Sequence, residues 1–180
     1  MKKLRMWIVL FGVSLLAFAC AKPSVEVQNG KDYLVEHRDD ELFVYVEYRW
    51  TGGRYDDATA LEKDFVQWAN EQGILVYAMG RYPTSKLWQL GFVANRPPDI
   101  AEFQGRKVST LPLKAGDWAV MHTKGHTDRL FFLWKKLARK LDKEGHPVTK
   151  PVYEVYPDLL TVPLDNDASR GQIRYPISTQ

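Results

Sequence analysis

Residues Leu111–Pro157 read LPLKAGDWAVMHTKGHTDRLFFLWKKLARKLDKEGHPVTKPVYEVYP. Within this stretch, Asp117–Thr123 is a mostly apolar segment followed by Gly125, and it predicts a strand. Val152–Tyr156 is rich in valine and tyrosine and predicts another strand. The segment between them is long enough for a helix.

That intervening segment has the pattern of an amphipathic helix. Thr127 or Asp128 can cap its N-terminus, and Gly145 is the residue type that most often ends a helix. Apolar residues recur between them at three- and four-residue spacing: Leu130, Trp134, Leu137, Ala138 and Leu141. After the second strand comes a loop rich in Asp, Asn and Gly, and Gln172–Ile177 predicts a closing strand.

The same order of elements occurs earlier in the chain. Glu41–Trp50 alternates apolar side chains and predicts a strand, which a turn at residues 38–40 joins to a shorter strand at Asp32–Glu36. The other elements expected in this half are a helix from Asp56 or Asp57 to Gly73, strands at Ile74–Met79 and Trp88–Ala94, and a linker at Arg96-Pro97-Pro98.

The two halves align without a gap at a spacing of 72 residues, which places Gly53 on Gly125 and Gly73 on Gly145. Matched glycines on both sides of each helix indicate an internal duplication. Neither half has enough strands to cover its apolar face, so we expect their sheets to join. The sequence thus predicts an α+β fold. Tandem pseudo-twofold strand-helix-strand-strand repeats, at about 32–95 and about 108–178, form one antiparallel sheet with two long helices packed on it.

The first 20 residues have the layout of a bacterial export signal. Three basic residues precede the apolar run Met6–Leu16, which is shorter than the roughly 20 residues that cross a bilayer. An uncleaved membrane anchor is the alternative. Cys20 is the only cysteine and lies where a lipoprotein signal has its acceptor thiol, although Ala17 replaces the more usual leucine. We therefore expect cleavage of residues 1–19, lipidation of Cys20 and a tether over residues 20–31.

The expected cleavage changes the charge of the chain. The whole sequence has 25 basic and 22 acidic residues, and three of the basic ones fall within residues 1–19. The mature chain would carry no net formal charge, which argues against a nucleic-acid partner. Ala21 is not the aspartate that resembles an inner-membrane retention signal. We therefore expect a protein of the bacterial cell envelope, anchored in the outer membrane and facing the periplasm.

Several short motifs occur in a recognisable order: Tyr82-Pro83, Pro112, Ala115-Gly116, Gly125, Tyr153-Glu154-Val155-Tyr156 and Tyr175-Pro176-Ile177. In this order Asp32–Ser178 resembles the GyrI-like small-molecule-binding domains, which are also the effector-binding domains of AraC-type and BmrR-type transcription regulators. The resemblance implies an aromatic-lined pocket between the two repeats with one acidic residue, which matches Glu154. Thr127, beside His126, departs from the aromatic residue usual there. The sequence has no helix-turn-helix region, so we expect no regulator role.

Glu154 lies within an otherwise apolar strand, and two interpretations of it differ in where it points. Facing inward among aromatic rings, its carboxylate would bind a cation; facing outward, it would be one solvated residue of a half-exposed sheet. The 72-residue spacing makes Tyr82 equivalent to Glu154, and Trp50 equivalent to His122. The candidate ligand-binding residues are Glu154, Tyr156, Tyr82, Trp50, Trp88, His122 and Trp134, with a plain core role as the alternative for each aromatic.

Three functions are compatible with these residues. The first is a lipid-anchored envelope protein that binds a small amphipathic molecule, including a cationic one, in an aromatic pocket with a central glutamate. The second is a hydrolase on the same scaffold, with Glu154 as general base and Tyr82 or Tyr156 as hydrogen-bond donor. The third is a structural or partner-binding lipoprotein without a ligand. We expect no cofactor, and no metal site because the four histidines lack ligand spacing.

Overall fold

A computed structural model of the chain describes residues 23–28, 30–52, 55–148 and 151–177. Its helices are α1 (Tyr55–Glu71) and α2 (Phe131–Lys143), the second preceded by a 3-10 turn at Thr127–Arg129. Its strands are β1 (Ser24–Val25), β2 (Leu34–Arg38), β3 (Glu41–Arg49), β4 (Leu75–Tyr82), β5 (Leu87–Ala94), β6 (Glu102–Phe103), β7 (Arg106–Leu113), β8 (Gly116–Lys124), β9 (Val152–Tyr156) and β10 (Arg170–Pro176). None of the helices in the described ranges combines the length and apolar character needed to cross a membrane.

Both helices end in the same way, as their sequences predict. Gly73 and Gly145 have left-handed φ angles of 64° and 85°, a conformation that costs glycine little. The amide of the residue after each glycine donates to a carbonyl in the last helical turn, at 3.1 Å in the first helix and 2.8 Å in the second. The same glycine motif therefore closes each helix.

The strands form one antiparallel sheet in the order β1-β8-β10-β9-β4-β5-β3-β7-β6, with β2 also paired to β8. The strands that follow the two helices, β4 and β9, are neighbours at the centre, where Gly80 lies opposite Glu154. Outward from this centre, β5 and β3 on one side correspond to β10 and β8 on the other. This architecture confirms the predicted α+β fold, with one antiparallel sheet and two helices packed on it.

A closing ladder joins the two ends of the sheet. It pairs residues 34–46 (in β2 and β3) with residues 108–120 (in β7 and β8) in one continuous register: Leu34 with Val120, Arg38 with Gly116, Glu41 with Leu113 and Val46 with Val108. The expected turn at residues 38–40 is therefore a bend between two strands that have different partners. Strand β7, which is not among the expected elements, supplies half of the closing ladder.

The closing ladder also corrects the spacing of the duplication. Under the pseudo-twofold, Leu113 corresponds to Arg38 and Gly116 to Glu41, in both cases 75 positions later. The glycines that end the helices are 72 positions apart, so the alignment without a gap is wrong by three residues. The extra residues lie between β3 and α1, which five residues separate, whereas two residues separate β8 from the 3-10 turn that precedes α2. Gly53, which was matched to Gly125, lies outside the described residues.

The bent sheet buries apolar side chains on both faces. The helices cover one face, where Phe65 of α1 and Leu137 of α2 are fully buried. The other face carries a second buried cluster, which includes Phe43, Trp118 and Val120, because the closing ladder folds the sheet back on itself. Close packing between strands is tightest at Gly91, where a Cβ atom would lie 1.9 Å from the carbonyl oxygen of Val44.

The expected export signal and Cys20 lie outside the described residues. Part of the expected tether forms a strand of the sheet. Ser24–Val25 is strand β1, which pairs with Lys124 and Thr123 at the end of β8. The sheet therefore begins eight residues before the expected domain boundary at Asp32. The carboxylate of Asp32 forms ion pairs with Lys136 and Lys140.

Candidate functional site

A cavity of about 1000 Å³ lies between the two helices and the helix-side face of the central strands. Both halves of the duplication contribute to its wall. Aromatic rings dominate the lining: Trp50, Tyr55, Tyr82, Trp88, Phe131, Phe132, Trp134 and Tyr156. Concave apolar sites with a few converging polar groups are the usual form of a small-molecule site.

Gly80 makes room for the polar end of this cavity. A Cβ atom at this position would lie 2.7 Å from the hydroxyl oxygen of Tyr82. Because glycine has no side chain, the Tyr82 ring can lie back over β4, and its hydroxyl lies 3.2 Å from that of Tyr156 on β9. A hydrogen-bonded pair of phenols therefore spans the junction between the two halves.

Glu154 is the acceptor at the end of this pair. Its side chain is 4% exposed and lines the cavity, so the interpretation that it points into solvent is wrong. The indole nitrogen of Trp134 donates to Oε1 at 2.6 Å, and the hydroxyl of Tyr156 donates to Oε2. Burial raises the pKa of Glu154 to about 7, against the opposing effect of these hydrogen bonds. Near neutral pH this carboxyl can gain or lose its proton.

The two phenols stay protonated. Burial and the nearby carboxylates raise the pKa values of Tyr82 and Tyr156 well above their ordinary range. Each therefore keeps a proton to donate. The hydroxyl of Tyr156 donates its hydrogen bond to Glu154, so its oxygen is free to accept a hydrogen bond from the hydroxyl of Tyr82.

A second buried carboxyl, Glu62 of α1, also lines the cavity. Its side chain is 3% exposed, and its Oε1 has no hydrogen-bond partner among the described residues. Burial, reinforced by the charge of Glu154, raises its pKa to about 8, while a hydrogen bond from the amide of Gly91 opposes this shift. A buried polar atom without a partner costs about 1–3 kcal/mol. Such a group is uncommon in a purely structural position.

Stacked rings form one wall of the cavity. The Trp88 ring stacks on Trp50 at 6.0 Å and on Tyr55 at 5.6 Å, and Tyr55 stacks on Phe131 of the other helix at 5.8 Å between centroids. Tyr82 packs against Trp134 at 4.9 Å. Aromatic faces attract cations as well as apolar groups.

The charges around the cavity are mostly negative. Besides the two buried carboxyls, the lining includes the acidic residues Asp56, Asp128 and Asp165 and the basic residues Lys63 and Arg129. Acidic groups and ring faces together favour a positively charged occupant over an anionic one. In the part of the chain that the structure describes, no group of three His, Cys, Asp or Glu side chains is placed to hold a metal ion.

Six of the seven candidate residues line this one cavity: Trp50, Tyr82, Trp88, Trp134, Glu154 and Tyr156. The placement of His122 is wrong. Strand alternation puts it on the face of Trp118 and Val120, away from the helices, and its Nε2 lies 3.1 Å from a carboxylate oxygen of Glu36. The error came from the 72-residue spacing, which does not hold for β8. An offset of three residues reverses the face of a strand position.

Three important lining residues were not among the candidates: Glu62, Tyr55 and Phe131. A signal for Glu62 exists in the sequence. It lies four residues after Ala58 and three before Phe65, so a charged residue interrupts the apolar stripe of α1. Tyr55 is the first residue of α1, and no local pattern assigned it to the pocket. Nothing in the local pattern of Phe131 distinguishes it from its exposed neighbour Phe132.

No family model and no curated protein matches the chain. Solved structures do share its fold. The EcmrR–DNA complex is 13% identical with a TM-score of 0.65 over 82% of this chain, which spans 57% of the length of that chain. SAV2435 bound to tetraphenylphosphonium is 15% identical with a TM-score of 0.54, covering 82% of this chain and 94% of that one. A hydrolase encoded by lin2189 from Listeria innocua is 11% identical with a TM-score of 0.51, covering 82% and 92%. At these identities the likeness establishes the fold alone.

Proposed function

We propose that this protein is a GyrI-like small-molecule-binding domain that binds a bulky, amphipathic organic cation. The observation that carries the proposal is the Glu154 carboxyl, buried in an aromatic cavity and held by Trp134 and Tyr156. A cation would supply the charge partner that the buried carboxylate lacks, and the stacked rings would hold the apolar body of the ligand. SAV2435, which has the same fold, was solved with such a compound, tetraphenylphosphonium.

Tetraphenylphosphonium and tetraphenylborate provide the direct test, because they have the same shape and opposite charge. We expect the cation to bind and to quench the fluorescence of the cavity tryptophans. The anion should bind at least about 10-fold more weakly, because buried like charges repel. Isothermal titration calorimetry of both compounds measures the difference. Equal affinity, or no binding of the cation, would reject the proposal.

The affinity for tetraphenylphosphonium should also depend on pH. The ligand has a permanent charge, so pH acts only on the protein. Glu154 has a pKa of about 7 in the empty cavity, and only its ionised form attracts the cation. Affinity should therefore fall as the pH drops through 7, by about 30-fold between pH 8.5 and pH 5.5 for one linked proton. Titrations across this range check the slope, and a flat profile would contradict the assignment of Glu154.

A hydrolase is the second candidate. The Tyr82–Tyr156–Glu154 chain contains a carboxyl of near-neutral pKa next to hydroxyl donors, which is the arrangement a general base requires. The two candidates differ in the fate of the bound compound. Mass spectrometry of a small reactive ester after incubation distinguishes them, since a receptor returns the compound unchanged and a hydrolase does not.

We further propose that the protein is lipidated on Cys20 and faces the periplasm from the outer membrane. The support is the sequence of the first 20 residues. Native mass spectrometry of the protein from detergent-solubilised membranes tests both proposals together. A mature chain that begins at Cys20 with added acyl mass supports the anchor, and a co-purified compound would reveal the ligand class. A Cys20→Ser variant is the control for the acyl mass.

A further inference from the structure

The two buried carboxyl groups of the cavity, Glu154 and Glu62, differ in how many of their oxygens accept a hydrogen bond. Both oxygens of Glu154 accept a hydrogen bond, one from Trp134 and one from Tyr156. Glu62 lines the same cavity from α1, and its Oε1 accepts none among the described residues, although the side chain is 97% buried. An unsatisfied buried acceptor that faces a cavity is a site for a donor from the occupant.

A ligand with a single positive charge would leave Glu62 without a hydrogen-bond partner. A monocation beside Glu154 would bring its apolar body into the space in front of Glu62 and exclude water from it. The Oε1 atom of Glu62 would then be buried without a partner in the complex as well as in the empty protein. Only a ligand that carries a donor to Glu62 removes this cost.

We propose that Glu62 is a second anchoring residue, and that the ligand is an amphipathic dication with one positive centre for each carboxylate. This inference rests on the proposed binding of a cation at Glu154 and goes further by assigning the number of charges. An ammonium or amidinium group suits Glu62 better than a quaternary centre, because it has N–H donors for the unpartnered oxygen. The aromatic rings that line the cavity hold the body that connects the two centres.

The test compares two amines that share one ring, 1,4-bis(aminomethyl)benzene and 4-methylbenzylamine, as competitors of tetraphenylphosphonium at pH 8.5, above the pKa values of both Glu62 and Glu154. In the wild-type protein the diamine should displace the reporter at a concentration at least about 10-fold lower, since it forms one more buried charge pair. In Glu62→Gln this preference should fall to about twofold, the factor expected for two equivalent ends. Glu71→Gln is the matched control, because Glu71 is an exposed carboxylate of the same helix.

Binding of tetraphenylphosphonium by Glu62→Gln checks that the cavity is intact, and we expect its affinity to stay within about threefold of wild type. Loss of that binding would show that Glu62 belongs to the first cation site and would overturn the inference. So would an unchanged diamine preference in Glu62→Gln, or a wild-type protein that does not distinguish the amines. The wild-type comparison needs no variant and stands even if the substitution impairs folding. If tetraphenylphosphonium itself fails to bind wild type, the proposed function fails first.

Discussion

Replacement of Glu154 by glutamine is expected to weaken the binding of tetraphenylphosphonium by at least about 30-fold at pH 8, equivalent to about 2 kcal/mol, the lower end for a buried charge pair. Glutamine has nearly the same shape and can still accept the proton of Tyr156 through its amide oxygen. It has no charge, so the aromatic wall alone would hold the cation. Calorimetric titration of the variant against wild type measures the loss.

Two further measurements sharpen this prediction. The pH dependence of binding between 5.5 and 8.5 should become weaker in Glu154→Gln, because Glu62 is then the only one of the two buried carboxyls that still titrates in this range. Tyr82→Phe should change affinity by less than about threefold, since it removes a hydroxyl that reaches Glu154 through Tyr156 and leaves the carboxylate in place. A Glu154→Gln variant that binds the cation as well as wild type would show that the rings, and not the charge, provide the affinity.

Replacement of Gly91 by alanine is expected to lower the free energy of unfolding by about 3 kcal/mol or more. The added Cβ would lie 1.9 Å from the carbonyl oxygen of Val44 and 2.8 Å from the Cα of Tyr45. These are backbone atoms of β3, held by their pairing with β5, so the strands would have to separate. The Gly91 amide also donates to Glu62, so the same change would disturb the cavity.

Gly116→Ala is the control for this substitution. Gly116 also lies in a paired strand, at the bend of the closing ladder, but a Cβ atom there would meet nothing within 4 Å. We expect its stability to stay within about 0.5 kcal/mol of wild type. Urea denaturation followed by tryptophan fluorescence compares the three proteins. Equal midpoints for Gly91→Ala and wild type would mean that β3 and β5 can move apart at little cost.

The helices were predictable because their signals are local. Apolar residues at helical spacing and a glycine past the last turn act within a few positions of each other, and both helices end where Gly73 and Gly145 predict. The bounds of β9 were also predicted correctly, because Val152–Tyr156 is a continuous run rich in valine and tyrosine. The structure buries it along its whole length. A continuous buried strand needs no information from distant parts of the chain.

The closing ladder was not predictable in the same way. Its pairs join residues that are far apart in sequence, and β7 contains Pro112, which weakens the pattern of a strand. The three extra residues before α1 are equally invisible to an alignment without gaps. That single error carried His122 onto the wrong face, whereas Trp50, just past the end of β3, still lines the cavity.

The residues at the centre of the candidate site were predicted from the sequence, and several of those around them were not. Glu154 came from the resemblance of its strand to a known family, and its burial follows from the inward side of β9. Glu62 was missed because α1 is predicted from its apolar residues, and a buried charge is visible only as an interruption of that stripe. The hydrogen bond of Trp134 to Glu154 depends on how α2 lies over the sheet, which no local pattern specifies.

The closing ladder has a consequence for how the protein acquires its structure. Strand β3 can pair with β5 first, but its second partner, β7, and the partner of β2, β8, lie within residues 106–124. The ribosome must therefore have made well over half of the chain before the sheet can close. Pairing between distant segments slows folding, because the entropy of closing the loop must be lost before the contacts form. Until then β2 and the β7-facing edge of β3 have no partner and are exposed to aggregation. Truncation before residue 106 would make that exposure permanent.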